Sequence, residues 1–149
     1  MKIVLGGDHA AADFLPVIAK CLTDRGHELL ELTAPAAERC DYPKVAEQAA
    51  REVASGRCDA GVLICGTGIG VSIAANKVRG IRAATCCDTY MARMAKEHNN
   101  ANIICVGARV VADPGIALSI VEAWLDAEVQ GGRHAERVGM IEEIERREH

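Results

Sequence analysis

A chain of 149 residues, half of them hydrophobic, is long enough for one domain with a continuous core, taken as residues 1–149. A net charge of -4 with no lysine or arginine run argues against nucleic acid as a partner. The uncharged span 60–76 is too short and too broken by glycine to cross a membrane.

Apolar runs recur at 3–5, 28–32, 60–65, 81–86 and 103–106, separated by helical or loop-like sequence, and predict five strands of a parallel sheet covered on both faces. Phe14, Tyr42, Tyr90 and Trp124 are the only aromatic residues, so the core is aliphatic, as suits such a sheet. The N-terminus runs straight into Lys2-Ile-Val-Leu5 without a long apolar leader, so no signal peptide is expected. The first strand ends in Gly6-Gly7-Asp8-His9, and a helix follows until Gly26. Pro16 is tolerated there if Asp13 is the N-cap; that helix therefore starts late or bends. Asp41-Tyr42-Pro43 opens a second helix that Gly56 closes. Asp88 caps a helix over 89–97, which delivers His98-Asn99-Asn100-Ala101-Asn102 into a loop. Asp113-Pro114 caps the next helix. Beyond Gly131-Gly132 comes a charged helix, about 134–147, with Arg133 and Arg137 four apart at its start and so on one face.

The chemistry concentrates at Cys65-Gly66-Thr67-Gly68-Ile69-Gly70, where a buried strand breaks into a tight loop before a helix. Alternate glycines let backbone N–H groups converge, and the helix adds its positive end, so negative charge is favoured there. Cys65 puts a thiol beside those donors, an environment that favours the thiolate. Two other readings fit the loop alone. It could cradle a nucleotide phosphate, although its spacing is G-x-G-x-G and not the dinucleotide G-x-G-x-x-G, and Cys65 could be a small buried hydrophobe. The seven cysteines are odd in number and lack a C-x-x-C pair; they read as reduced thiols of a cytoplasmic protein, with no metal site.

In an open parallel sheet, ligands sit beyond the carboxyl ends of the strands. Asp8 and His9 after the first strand, Cys65 to Gly70 after the third and Arg109 after the fifth converge on that edge. His98 lies on the opposite approach, so its loop would have to fold back over the site. A thiol, an oxyanion cradle, histidines, a carboxylate and arginines suit proton transfer next to a carbonyl in a phosphorylated small molecule.

Gly7-Asp8-His9, Asp41-Tyr42-Pro43, the Cys65–Gly70 loop, Ala74-Ala-Asn-Lys77, Gly80-Ile-Arg82, His98-Asn99 and Gly131-Gly-Arg-His134 with Arg137 together resemble the ribose-5-phosphate isomerase B family, along essentially the whole chain. The resemblance implies a Rossmann-like, three-layer α/β/α sandwich with five parallel strands, and an aldose–ketose isomerase without cofactor. It also implies that Cys65 is the base, with Thr67 beside it, and that the amides of Gly66, Gly68 and Gly70 hold the enediolate. His98 with Asn99 would open the sugar ring, Asp8 would bind hydroxyls, and His9, Arg109, Arg133 and Arg137 would hold phosphate. Tyr42 is a substrate contact or a packing residue of the second helix. One branch of the family carries a glutamate just after the glycine loop instead; Val71 stands there, so the chain resembles the thiol branch. The family further implies a homodimer with shared sites, with the C-terminal helix on the partner, and a dimer of dimers as an open alternative. The implied substrate is ribose 5-phosphate. A six-carbon aldose phosphate such as allose 6-phosphate, or a non-catalytic sugar-phosphate sensor, is the alternative.

Overall fold

The computed structural model describes residues 1–33 and 40–148. Five strands, β1 (Lys2–Gly7), β2 (Glu28–Thr33), β3 (Ala60–Cys65), β4 (Ala83–Thr85) and β5 (Ile103–Gly107), form one sheet in the order β2-β1-β3-β5-β4. Every pairing is parallel. β1, β3 and β5 are buried along their whole lengths or nearly so, which explains why their sequences are apolar runs and do not alternate. The fourth strand is shorter than the expected 81–86. Ile81 instead packs on the core ahead of the strand, and Cys86 follows it.

Helices cover both faces, which confirms the three-layer α/β/α sandwich. On one face lie α1 (Leu15–Asp24), α4 (Thr89–Glu97) and α6 (Pro114–Asp126), around a core of Ile3, Leu5, Ile18, Ile104 and Trp124. On the other lie α2 (Tyr42–Ala54) and α3 (Ile69–Ala75), over Val4, Leu63, Ile103 and Cys105. Trp124 is fully buried and its indole N–H donates to the Ala101 carbonyl at 3.1 Å, so the single tryptophan ties α6 to the approach to β5.

The start of α1 differs from expectation in a specific way. Asp8 caps a 3₁₀ turn over His9–Ala11, its Oδ1 accepting the Ala10 N–H at 2.9 Å. The α-helix proper begins late, at Leu15, with Phe14 and not Asp13 at the N-cap position and Pro16 in the first turn, where its missing N–H costs nothing. Asp88 and Asp113 do cap α4 and α6 through their side chains, as read from the sequence. A short helix, α5 (Ala108–Val111), was not foreseen. It follows β5 directly and carries Arg109. The last helix, α7 (Arg133–Glu148), has Val138 as its one buried residue and leaves Met140, Ile141 and Ile144 exposed. All seven cysteines are free thiols.

Candidate active site

The strand order reverses between β1 and β3, because β2 lies to one side of β1 and the rest of the sheet to the other. That reversal opens a crevice at the carboxyl ends of the two strands, the place where such sheets bind ligands. Asp8 follows β1 and its N–H donates to the Ile64 carbonyl at 3.2 Å, which sets it beside Cys65 at the tip of β3.

The glycine loop is held through its own backbone, by side chains and main chain around it. Gly68 has φ +77°, the left-handed region that favours glycine, and is the N-cap residue of α3. Its N–H donates to the Cys65 sulfur at 3.2 Å, so the thiol is turned back toward the loop although the residue is only 4% exposed. That contact takes Gly68 out of the set of donors free for an oxyanion. The Thr67 hydroxyl accepts the Ile69 N–H at 3.2 Å and occupies another donor. Gly68 has no side chain to cap with, so the amides of Gly70 and Val71 in the first turn of α3 have no intrahelical partner and are the ones left for a ligand.

β5 and α5 close the loop from behind. A β-carbon on Gly107 would stand 2.5 Å from the Thr67 carbonyl carbon, so only glycine lets the two backbones pass. The Arg109 N–H donates to the Gly66 carbonyl at 2.9 Å, and its guanidinium lies across Gly66, with Nη1 3.0 Å from where a β-carbon would be. The Thr85 hydroxyl donates to the Gly68 carbonyl at 3.1 Å. On the opposite side the Tyr42 ring covers Gly70, 2.6 Å from a β-carbon position there. A cavity of about 480 Å³ runs from Tyr42 and Asp41 past Cys40 to Asp8 and His9. Cys65, Thr67, Gly66, Gly68, Gly70, Asp8, His9, Tyr42 and Arg109 therefore all stand at one edge of the sheet.

His98, Asn99, Arg133 and Arg137 stand at the other. α4 runs antiparallel to the strands and ends at His98, whose N–H closes on the Met94 carbonyl at 2.9 Å. The loop does not fold back over the thiol. Asn102, four residues on, accepts the Gly61 N–H at 2.9 Å, which places it at the amino end of β3. Four residues of strand, roughly 13 Å, separate that level from Cys65. α7 is tethered to the same edge: Glu142 pairs with Arg82 at 3.7 Å, and Glu145 accepts the Gly80 N–H at 2.8 Å. One chain thus presents two half-sets of the expected residues, at opposite ends of its sheet.

The sequence model described as ribose/galactose isomerase matches residues 3–141. The chain belongs to this family. Ribose-5-phosphate isomerase B of Escherichia coli is 46% identical over 146 residues, 98% of this chain and 97% of that one. D-erythrulose-4-phosphate isomerase of Pectobacterium atrosepticum is 44% identical over 149 residues, 99% of this chain and 97% of that one. The solved structure of ribose-5-phosphate isomerase B from Clostridium thermocellum matches with a TM-score of 0.96 at 52% identity, covering 100% of both chains.

Within this isomerase fold the structure adds residues that sequence reasoning left out. Cys40 and Lys44 line the cavity with Asp8 and Tyr42. Burial, with Asp8 and Asp41 nearby, pushes the Cys40 thiol up, which keeps it protonated and a poor competitor for the role of base. Burial likewise pushes Cys86 up to about 11 and raises Cys105 further. His134, quoted in the Gly131–His134 motif without a role of its own, lies face to face with His98. Its adjacency to Arg133 was the only sequence signal available.

Proposed function

We propose that the chain interconverts ribose 5-phosphate and ribulose 5-phosphate, with Cys65 as the base that moves a proton between C2 and C1 of the open-chain sugar. The observation that carries this reading is the thiol at the tip of β3, its sulfur accepting the Gly68 N–H inside a glycine loop, in a chain of the ribose/galactose isomerase family. As the proton leaves C2, negative charge develops on the carbonyl oxygen. The free amides of Gly70 and Val71 and the Arg109 guanidinium are placed to receive it. The proton returns to C1 and the hydroxyl hydrogen on O2 passes to O1, leaving the ketose. Asp8, with one carboxylate oxygen used in its cap, offers the other to sugar hydroxyls, and His9 and Tyr42 complete the cavity wall. No step calls for a metal or cofactor, and activity is expected to survive a strong chelator.

Phosphate binding and ring opening fall to Arg133, Arg137 and His98, with Asn99 beside it. Because these stand at the amino edge, the reading requires a second copy of the chain: in a two-fold dimer the amino edge of each chain faces the carboxyl edge of the other. Exposed apolar residues beside each half support this, Ile69 and Ile73 next to the glycine loop and Met140, Ile141 and Ile144 on α7. The names of the relatives favour a five-carbon over a six-carbon substrate. The test is a side-by-side rate comparison on ribose 5-phosphate and allose 6-phosphate with the wild type and Cys65→Ala. Ribose 5-phosphate is expected to be preferred, and Cys65→Ala to lose turnover by about 10²–10⁴-fold while still binding substrate. A Cys65→Ala chain with normal turnover would end the thiol mechanism.

A further inference from the structure

Two imidazoles stack at the amino edge: the rings of His98 and His134 lie with centroids 3.9 Å apart and planes 2° from parallel. The contact is built, because the segment leading into α7 is clamped to the end of α4. The Gln130 N–H donates to the Glu97 carbonyl at 2.9 Å, and its side-chain amide donates to Glu97 Oε2 at 3.0 Å. A cavity of about 140 Å³, lined by His98, Asn100, Gln130, Val138 and Glu142, opens beside the pair. His98 itself ends a helix and is half-buried, and the torsion that rotates its ring has a broad, roughly two-fold profile unless something packs on the ring face.

We propose that His134 is a positioning residue for ring opening: by stacking on His98 it fixes the plane in which that imidazole meets the sugar's ring oxygen and anomeric hydroxyl. This rests on the reading of His98 as the ring-opening group. In that step the C1–O4 bond breaks with its electron pair going to O4, the hydroxyl on C1 gives up its hydrogen as the carbonyl forms, and O4 gains one. A single ring passing a proton between two oxygens bonded to the same carbon must hold its nitrogen to within a few tenths of an ångström, and misplacement of such a group costs heavily. His134 suits the task because its own proton is disfavoured. Burial and the nearby His98, Arg133 and Arg137 lower its affinity for a proton, with Glu97 alone opposing, so near neutrality it offers an uncharged face to a partner that must take and release charge. His134 and Arg137 are also three apart on α7, so ring and phosphate cation share a face.

The experiment separates ring opening from proton transfer by comparing a substrate that must open with one that has no ring. D-erythrulose 4-phosphate lacks the fifth carbon a five-membered ring on its C2 carbonyl would need, and ribulose 5-phosphate carries phosphate on the oxygen that would close such a ring; C1 hydrogen exchange of ribulose 5-phosphate in D₂O supplies a second open-chain readout. His134→Ala is expected to lower kcat on ribose 5-phosphate by roughly 10- to 100-fold with a smaller change in KM, and to leave both open-chain readouts within about twofold of wild type. His134→Phe, which keeps a flat ring on His98, is expected to recover most of the loss. Equal losses on ring and open-chain substrates, no loss on either, or no rescue by phenylalanine would overturn the proposal. His98→Gln distinguishes the two layers. If it shows the ring-specific loss and His134→Ala does not, the positioning role alone falls; if His98→Gln shows no ring-specific loss, the ring-opening role of His98 falls and the proposal with it.

Discussion

The two edges of the sheet are held in different ways. At the carboxyl edge the glycine loop is pinned through its own backbone: Gly66 by the Arg109 N–H, Thr67 by close passage of Gly107, Gly68 by the Cys65 sulfur and the Thr85 hydroxyl. At the amino edge the corresponding groups sit on the end of α4 and on α7, a helix with one buried residue, joined by side-chain contacts and a single loop clamp. The edge that would perform proton transfer is rigid within one chain. The edge that would grip phosphate and open the ring depends on side chains and, on our reading, on a neighbouring chain for its final placement.

That contrast can be broken or sharpened by experiment. The largest expected effect is all-or-none. Cys65→Ala chains and Arg133→Ala/Arg137→Ala chains should each be nearly inactive, and mixing them should restore about a quarter of wild-type activity, because half the dimers then hold one intact site. Verified mixed dimers without recovery would show that the halves are not shared. Gly107→Ala attacks the rigid edge by forcing a β-carbon into the Thr67 backbone. Its overpacking should cost about 1–3 kcal/mol in denaturant unfolding and lower kcat by roughly 10²-fold, with Gly61→Ala in the same sheet as a control for stability alone. Arg137→Ala attacks the compliant edge. It should raise KM by about tenfold, on the order of 1.4 kcal/mol, and leave the melting temperature nearly unchanged; an unchanged KM would remove that residue from the phosphate site.

The smallest effect is on pH. His134 binds its proton less well in the folded chain than in the unfolded one, through burial and then the neighbouring cations, so its contribution to stability is present above the ordinary histidine range and is lost as pH falls through that range. Between pH 7 and 5, His134→Gln should therefore lose less stability than the wild type, read from paired thermal melts. His27, also lowered chiefly by burial, adds its own slope to both proteins.

Much of this was legible before any coordinates, because it depends on local physics. Asp88 and Asp113 announce helix starts by the capping chemistry of a short carboxylate, and the runs at 60–65 and 103–106 announce strands because both faces of a parallel sheet are buried. Local signals misled where two competed. Asp13 and Phe14 both precede Pro16, and the N-cap position falls at Phe14, beyond the separate turn that Asp8 caps. Residue identity likewise marked Cys65, Asp8 and Arg109 as one constellation, since each stands at or just beyond the carboxyl end of a strand.

What residue order by itself determined is the set of strands, their caps and the chemistry at each strand tip, all governed by neighbours a few positions apart. Tertiary structure alone decided that the His98 loop does not fold back over the thiol, that Arg137 lies across the sheet from it, that Tyr42 covers Gly70 and that two histidines 36 positions apart meet face to face. Those outcomes turn on helix direction and crossover order, which long-range packing settles and no short window of sequence contains.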